Sequence, residues 1–289
     1  MSDKLLMILF LQQLKGFGPV KINSKCGKFL RKASNIDELA FAVKDGSTFS
    51  QIPAAKSTAL KLYDDVMADD SVMAITTFDP EYPTAFQSLG DKKPPVIYVK
   101  GDISLLSKPS IAIVGTRDPA SGTAAMTQQI AKTISGKGIP VISGLAEGCD
   151  TYAHMGALDQ AGGTVAVLPS GFNKIYPKQN TGLAASIAEA GCLVSEYSQD
   201  TASSKFTFVR RDALIAALGK GTIVMECGVK SGTMHTAEAA HEMHRPIGCY
   251  YPESRDDCFA GNEHIVKTMG GFKISDNSDL ELFCSKSGI

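Results

Sequence analysis

Ser110-Ile111-Ala112-Ile113-Val114-Gly115-Thr116-Arg117, with Ser121-Gly122 close behind, is the stretch whose reading decides the fold. Four apolar residues in a row suit a strand buried on both faces, and the glycines after them suit a tight turn into a helix near Thr123 to Ser135. A strand that breaks through glycine into a helix opens an α/β unit able to hold phosphate. N–H groups left unpaired at such a helix start attract an anion, and Arg117 adds a fixed charge with a planar fork of donors. Taken alone, the stretch fits a plain strand-to-helix turn with a surface arginine equally well. It has neither the GxGxxG spacing of a dinucleotide site nor the Gly-Lys-Ser/Thr ending of a P-loop.

Outward from this stretch the pattern repeats. From Ser110 to about Tyr251 strands and helices alternate with the period of an α/β, Rossmann-like, doubly wound and mostly parallel sheet. The strands are Ser110 to Val114, Pro140 to Ser143, Thr164 to Leu168, Cys192 to Ser195, Thr222 to Met225 and Pro246 to Tyr250. Helices are expected at Thr123 to Ser135, Thr151 to Ala161, Thr181 to Ala190, Arg210 to Leu218 and Thr233 to Met243. Small or polar clusters follow most strands: Gly115-Thr116-Arg117, Ser143 to Gly148, Pro169 to Lys174, Ser195-Glu196-Tyr197, and Glu226 to Thr233. Ligands of open α/β sheets sit outside the carboxyl edge, so four glycine-bearing loops converging there are far more informative than one.

The preceding part of the chain divides in two. Residues 1–70 read as a small helical domain, with helices at Leu5 to Leu14, Pro19 to Lys32, Ile36 to Val43 and Pro53 to Met67; the first reads as amphipathic. Residues 71–109 read as an extended, proline-bearing lead-in, leaving 110–289 for the sheet domain. Between the first two helices, Lys15-Gly16-Phe17-Gly18-Pro19-Val20-Lys21 places two glycines around one apolar residue. This spacing fits a helix-hairpin-helix turn that approaches another backbone and grips phosphate through Lys15, Gly16, Gly18 and Lys21; a turn used only for packing carries equal weight.

Composition narrows the class. The 289 residues are 44% hydrophobic with a net charge of −1, enough for a full core and too balanced for a general polyanion binder. Charge is nonetheless local, because Lys15 to Lys32 holds six basic residues and no acid. Seven cysteines without a CxxC pair suit reduced thiols, and no apolar run approaches a membrane span, so a soluble, cytoplasmic protein is expected.

No catalytic constellation stands out. His154, four residues after Asp150, reads better as a packed histidine than as a catalyst. His235, His241 and His244 with Glu238 and Glu242 read as a solvated helix face, and no metal or cofactor is expected.

Val114-Gly115-Thr116-Arg117, Ser143-Gly144-Leu145-Ala146, Asp150 with Ala153-His154, Ile175-Tyr176-Pro177 with Asn180, Ser195-Glu196-Tyr197, Phe208, Arg211, Glu226 and Ser231-Gly232-Thr233 together resemble the DNA processing protein A (DprA/Smf) family. The resemblance covers nearly the whole chain, including a sterile-alpha-motif-like N-terminus and Gly261 to Val266 as the end of the Rossmann-like domain. The family's C-terminal winged helix is expected to be missing. The resemblance implies a homodimer that binds and protects single-stranded DNA and helps load a RecA-type recombinase in natural transformation, without enzymatic activity. It places backbone-binding cations at Arg117 and Lys174, and lines the same edge with Gly115, Thr116, Ser143, Gly144, Gly171, Arg210, Arg211, Ser231, Gly232 and Thr233. Phe172, Tyr176 and Tyr197 are candidates for stacking on bases.

Departures from the family pattern bear on affinity. Where the family usually has Phe-Pro-x-Arg-Asn-Arg, this chain has Phe208-Val209-Arg210-Arg211-Asp212-Ala213, and Glu147 is acidic where the family is often basic or neutral. Each lost phosphate contact weakens polyanion binding. The alternative is a sensor or hydrolase that takes a nucleotide in the same pocket. The related lysine-decarboxylase-like hydrolases carry Gly-Gly-x-Gly-Thr-x-x-Glu, which Val229 to Thr236 does not match.

Overall fold

A computed structural model describes residues 3–254 and 256–289; Met1 and Ser2, where the expected helical domain begins, lie outside the described residues. The chain divides into two units, Met1–Val99 and Lys100–Ile289.

The first unit is helical. Its helices are α1 (Asp3–Gln12), α2 (Pro19–Lys21), α3 (Gly27–Lys32), α4 (Ile36–Val43) and α5 (Ile52–Met67). The expected amphipathic first helix is instead apolar nearly all round: Leu5 and every residue from Met7 to Leu11 are buried, which makes α1 the hub on which the others pack. The expected continuous helix Pro19 to Lys32 is interrupted by a π-helical stretch at Ile22–Cys26. Asn35 caps α4 by accepting from the N–H groups of Asp37 and Glu38, so this short helix starts where the sequence places it. Two strands, β1 (Met73–Thr76) and β2 (Val96–Gly101), pair antiparallel with Met73 opposite Val99.

The second unit is a parallel α/β sheet. Its strands are β3 (Ile111–Val114), β4 (Val141–Ser143), β5 (Thr164–Leu168), β6 (Cys192–Ser195), β7 (Gly221–Val224), β8 (Ile247–Tyr250) and β9 (Phe272–Ile274). They lie in the order β6-β5-β4-β3-β7-β8-β9, with every adjacent pair parallel. The helices are α6 (Ser121–Gly136), α7 (Cys149–Ala157), α8 (Thr181–Ala190), α9 (Lys205–Leu218), α10 (Thr233–Glu242), α11 (Ala260–Thr268) and α12 (Asn277–Lys286).

β3 is the central strand, and all four of its residues are buried, as the apolar run requires. Ile111 and Ile113 point to one face, where they join Ile130 and Ile134 of α6, Ala153 of α7 and Phe283 of α12 in one core. The chain winds outward through β4, β5 and β6, then crosses back along α9 to lay β7 against the other side of β3. Strand order therefore reverses between β3 and β7. The loops leaving these two strands diverge at that point, and an open sheet acquires a crevice there without further help from the sequence.

Candidate phosphate- and base-binding cleft

A cleft of about 610 Å³ opens at this reversal. It is lined by Val114 to Arg117 after β3, by Ser231 to Thr233 with His235 and Thr236 after β7, by Ala146 and Asp150, and by α9 through Lys205, Phe208, Val209, Arg211, Asp212 and Ile215. Such a volume suits a small ligand or a single nucleotide unit.

Two glycines are compulsory. At Gly115 a Cβ would stand 2.5 Å from the Cys149 sulfur, so only glycine lets α7 close on the strand end. At Gly144 a Cβ would fall 1.7 Å from Arg211 Nη1 and 2.8 Å from Asp150 Oδ2, so the space a side chain needs is already taken by an ion pair.

The loop joining β4 to α7 is held from several directions. Gly144 and Ala146 donate their N–H groups to Asp150 Oδ2 at 3.1 and 3.3 Å. Leu145, at φ 60°, donates to His154 Nε2 at 3.3 Å. His154 Nδ1 lies 2.7 Å from Thr164 Oγ1, whose own hydroxyl hydrogen goes to Val141 O, so the network assigns the neutral Nδ1–H tautomer. Asn180 Nδ2 donates to Leu145 O, Ala146 O and Thr151 Oγ1. A left-handed leucine persists only where its surroundings over-determine it, and these bonds do so. Burial, with the Arg211 charge adding, holds the His154 imidazole down to about 3, which fits a packing role.

Arg211 is buried rather than exposed. It donates through Nη1 to Gly144 O, stands 4.0 Å from Asp150 Oδ2, and brings Nε to 3.0 Å from Asp212 Oδ1 without the alignment of a hydrogen bond. Burial raises the carboxyls of both Asp150 and Asp212, and the guanidinium between them opposes the rise. Phe208 has two guanidinium groups within cation–π reach, with Arg117 Cζ 5.6 Å and Arg211 Cζ 5.7 Å from its ring centre. Tyr176 meets the same ring edge-on at 5.4 Å.

The cleft thus gathers Gly115, Thr116, Arg117, Arg211, Ser231, Gly232 and Thr233 from the residues the sequence nominates. It does not gather the others. Ser143 turns inward and donates to Ile113 O. The Gly144 and Gly171 N–H groups are both spent, the first on Asp150 and the second on Thr201 O. Arg210 is bound through two nitrogens to Glu196, with its closest contact at 2.8 Å. Lys174 is exposed on the turn Phe172–Lys174, outside the cleft lining. Of the aromatic candidates, Tyr176 is 42% exposed, Phe172 packs partly into the core under β5, and the Tyr197 hydroxyl is buried.

In the first unit, Gly16 takes a left-handed φ of 80°, while nothing approaches within 4 Å of a Cβ at Gly16 or Gly18. No part of the first unit fills the space over these two glycines, and Gly16 suits the turn through its left-handed φ. Lys21 lies 3.4 Å over the Phe17 ring, and it lines a hollow of about 330 Å³ with Gly16, Gly18 and Lys25. Lys15 is exposed beside it.

Sequence reading missed Lys205, which lies in a turn of α9 that it left unassigned. The available signal was Ser204-x-x-Thr207, where each side chain bonds the other's backbone N–H. Thr stands where a capping box ordinarily has Glu or Gln, which hides the helix start.

Fold and cleft define a doubly wound α/β protein with a polar ligand site at its switch point. Residues 73–281 match the model of the DNA recombination-mediator protein A family, and the chain belongs to that family. It is 36% identical over 213 residues to the DNA processing protein DprA of Bacillus subtilis, covering 73% of this chain and 71% of that one. The crystal structure of DNA processing protein A from Streptococcus pneumoniae superposes with a TM-score of 0.82 at 26% identity, over 98% of both chains. DNA processing protein A from Helicobacter pylori, studied for its single-stranded DNA binding mode, matches with a TM-score of 0.66 at 27% identity, over 74% of this chain and 94% of that one.

Proposed function

We propose that this chain binds and protects single-stranded DNA along the carboxyl edge of its parallel sheet and, as a homodimer, passes it to a RecA-type recombinase. The observation that carries the reading is the arrangement at the cleft mouth. Arg117 and Lys205 are exposed there, and the Arg117 and Gly232 N–H groups make no hydrogen bond within the described residues, while the acids sit deeper. Exposed cations and unpaired N–H groups hold phosphate without reading sequence. Lys174, at the end of β5 on the same edge, supplies a further contact, and exposed Tyr176 and Phe206 offer faces on which bases stack. Family membership and the DNA binding described for the H. pylori relative support the reading. The helix-hairpin-helix-like turn around Lys15 and Lys21 adds a second, weaker phosphate contact.

Fluorescence anisotropy with labelled single-stranded and duplex oligonucleotides tests this directly. The expected result is a preference for single strands, with affinity falling about ten- to a hundredfold in Arg117→Ala and less in Lys174→Ala, since a hydrogen bond to a charged group contributes about 1.5–3 kcal/mol. Equal binding of the two forms, or variants indistinguishable from wild type, would overturn it.

A further inference from the structure

The chemistry of the cleft changes with depth. At the mouth stand Arg117 and Lys205. Inside, Val114 and Ile215 form an apolar floor, the Phe208 ring forms a wall, and two carboxylates face one guanidinium. A phosphate pushed inward would meet the carboxyls of Asp150 and Asp212, with Arg211 already engaged between them and only half-exposed His235 as a further basic side chain, and the carboxylates disfavour it. An uncharged planar group with apolar faces and a donating edge is what the interior accommodates.

The two carboxylates are not equivalent. Asp150 already accepts from the N–H groups of Gly144 and Ala146 and is sealed beneath the loop. Asp212 lines the cleft with its side chain 13% exposed, and its contact with Arg211 Nε is out of line for a hydrogen bond. It is a mostly buried acceptor with sites to spare, and a group in that condition takes donors strongly.

We infer that the cleft interior receives an unstacked guanine, whose N1–H and exocyclic N2–H donate together to the Asp212 carboxylate while the adjoining phosphates rest at Arg117 and Lys205. Among the four bases only guanine places two donors side by side on its Watson–Crick edge. Adenine and cytosine set an acceptor beside their amino group, and thymine flanks its single N–H with two carbonyls, each of which would face the carboxylate. Phe208 lines the cleft next to Ile215 and Val114 and gives the base an apolar wall to pack on. This inference rests on the DNA-binding reading of the same cleft and adds a base preference to it.

The test compares an oligothymidylate carrying isolated deoxyguanosines with the same strand carrying deoxyinosine, which keeps N1–H and lacks the N2 amino group. Wild type should bind the guanosine strand about tenfold more tightly, and in Asp212→Asn the ratio should fall to near one. Equal affinity for both strands in wild type, with oligothymidylate still bound, would overturn the guanine pocket and leave DNA binding standing. If no oligonucleotide binds, the DNA reading fails, and calorimetric titration of dGMP against dIMP decides the pocket separately. A tenfold preference for dGMP supports it, and no preference or no binding overturns it.

Discussion

At the scale of single residues, the outcome turns on Arg211. Its guanidinium is wedged where a side chain at residue 144 would lie, and it is the sole cation in contact with Asp150 among the described residues. Gly144→Ala must displace that group, and removing the partner of a buried carboxylate costs about 3–5 kcal/mol. The variant should therefore lose about 3 kcal/mol or more of stability, read as a lowered midpoint in urea denaturation. An unchanged midpoint would mean that Arg211 relocates freely. None of this is legible in a one-dimensional reading. Arginine in a strand-end environment looks like a phosphate ligand, and only the approach of residue 144, which is 67 positions away, reveals it as an internal tie. Arg210 misleads for the same reason, since its partner Glu196 belongs to a different strand end.

At the scale of elements, the loop between β4 and α7 depends on a neutral imidazole. Its Nε2 must accept from Leu145, so a proton there breaks the bond that holds a left-handed leucine. The folded value is about 3 against about 6.5 for the unfolded chain. Above pH 6.5 neither state binds the proton and the contribution is constant. As pH falls below 6.5 the unfolded chain gains a proton that the folded one refuses, and stability drops by about 1.4 kcal/mol per pH unit toward pH 3. His154→Gln can accept from Leu145 and cannot titrate. Between pH 6.5 and 4.5 wild type should lose about 2–3 kcal/mol more than this variant, measured by denaturation at each pH. Elements with strong periodicity were legible: β5, β6, α4 and α8 fall on the bounds expected from the sequence. Those that escaped are short or start on an unusual cap. α9 begins at Lys205 rather than Arg210, and α11, β9 and α12 follow Tyr251, where no run of apolar residues announces a strand.

At the scale of the whole molecule, a net charge of −1 leaves little general attraction for DNA, so affinity must come from a few placed cations. The three contacts proposed for Arg117, Lys174 and Lys205 would give a salt slope of about −2 for a single strand, and losing one should make it shallower by about 0.7. Anisotropy titrations across a salt series measure this. A slope near zero would mean that phosphate contributes nothing, and a much steeper one that cations elsewhere, including the basic stretch Lys15 to Lys32, take part. Among the described residues no helix is long and apolar enough to cross a membrane.

Asn262, at the start of α11, is fixed across the ends of β7 and β8. Its amide donates to Val224 O, Met225 O and Tyr250 O, and its carbonyl accepts from the Cys227 N–H. Gly261 comes so close that a Cβ would lie 2.5 Å from the Cys227 sulfur. Between these anchored residues lies Glu226, whose backbone carbonyl takes the Thr116 N–H and whose carboxylate takes the Ala120 N–H, so the loop carrying Arg117 leans on it. For a chain emerging from the ribosome this sets an order of events. The strand and arginine at the cleft mouth are made early, yet the support beneath them is complete only when residue 262 has left the exit tunnel, and a nascent chain ending between Thr236 and Gly261 carries every residue of the cleft lining without the Asn262 tie.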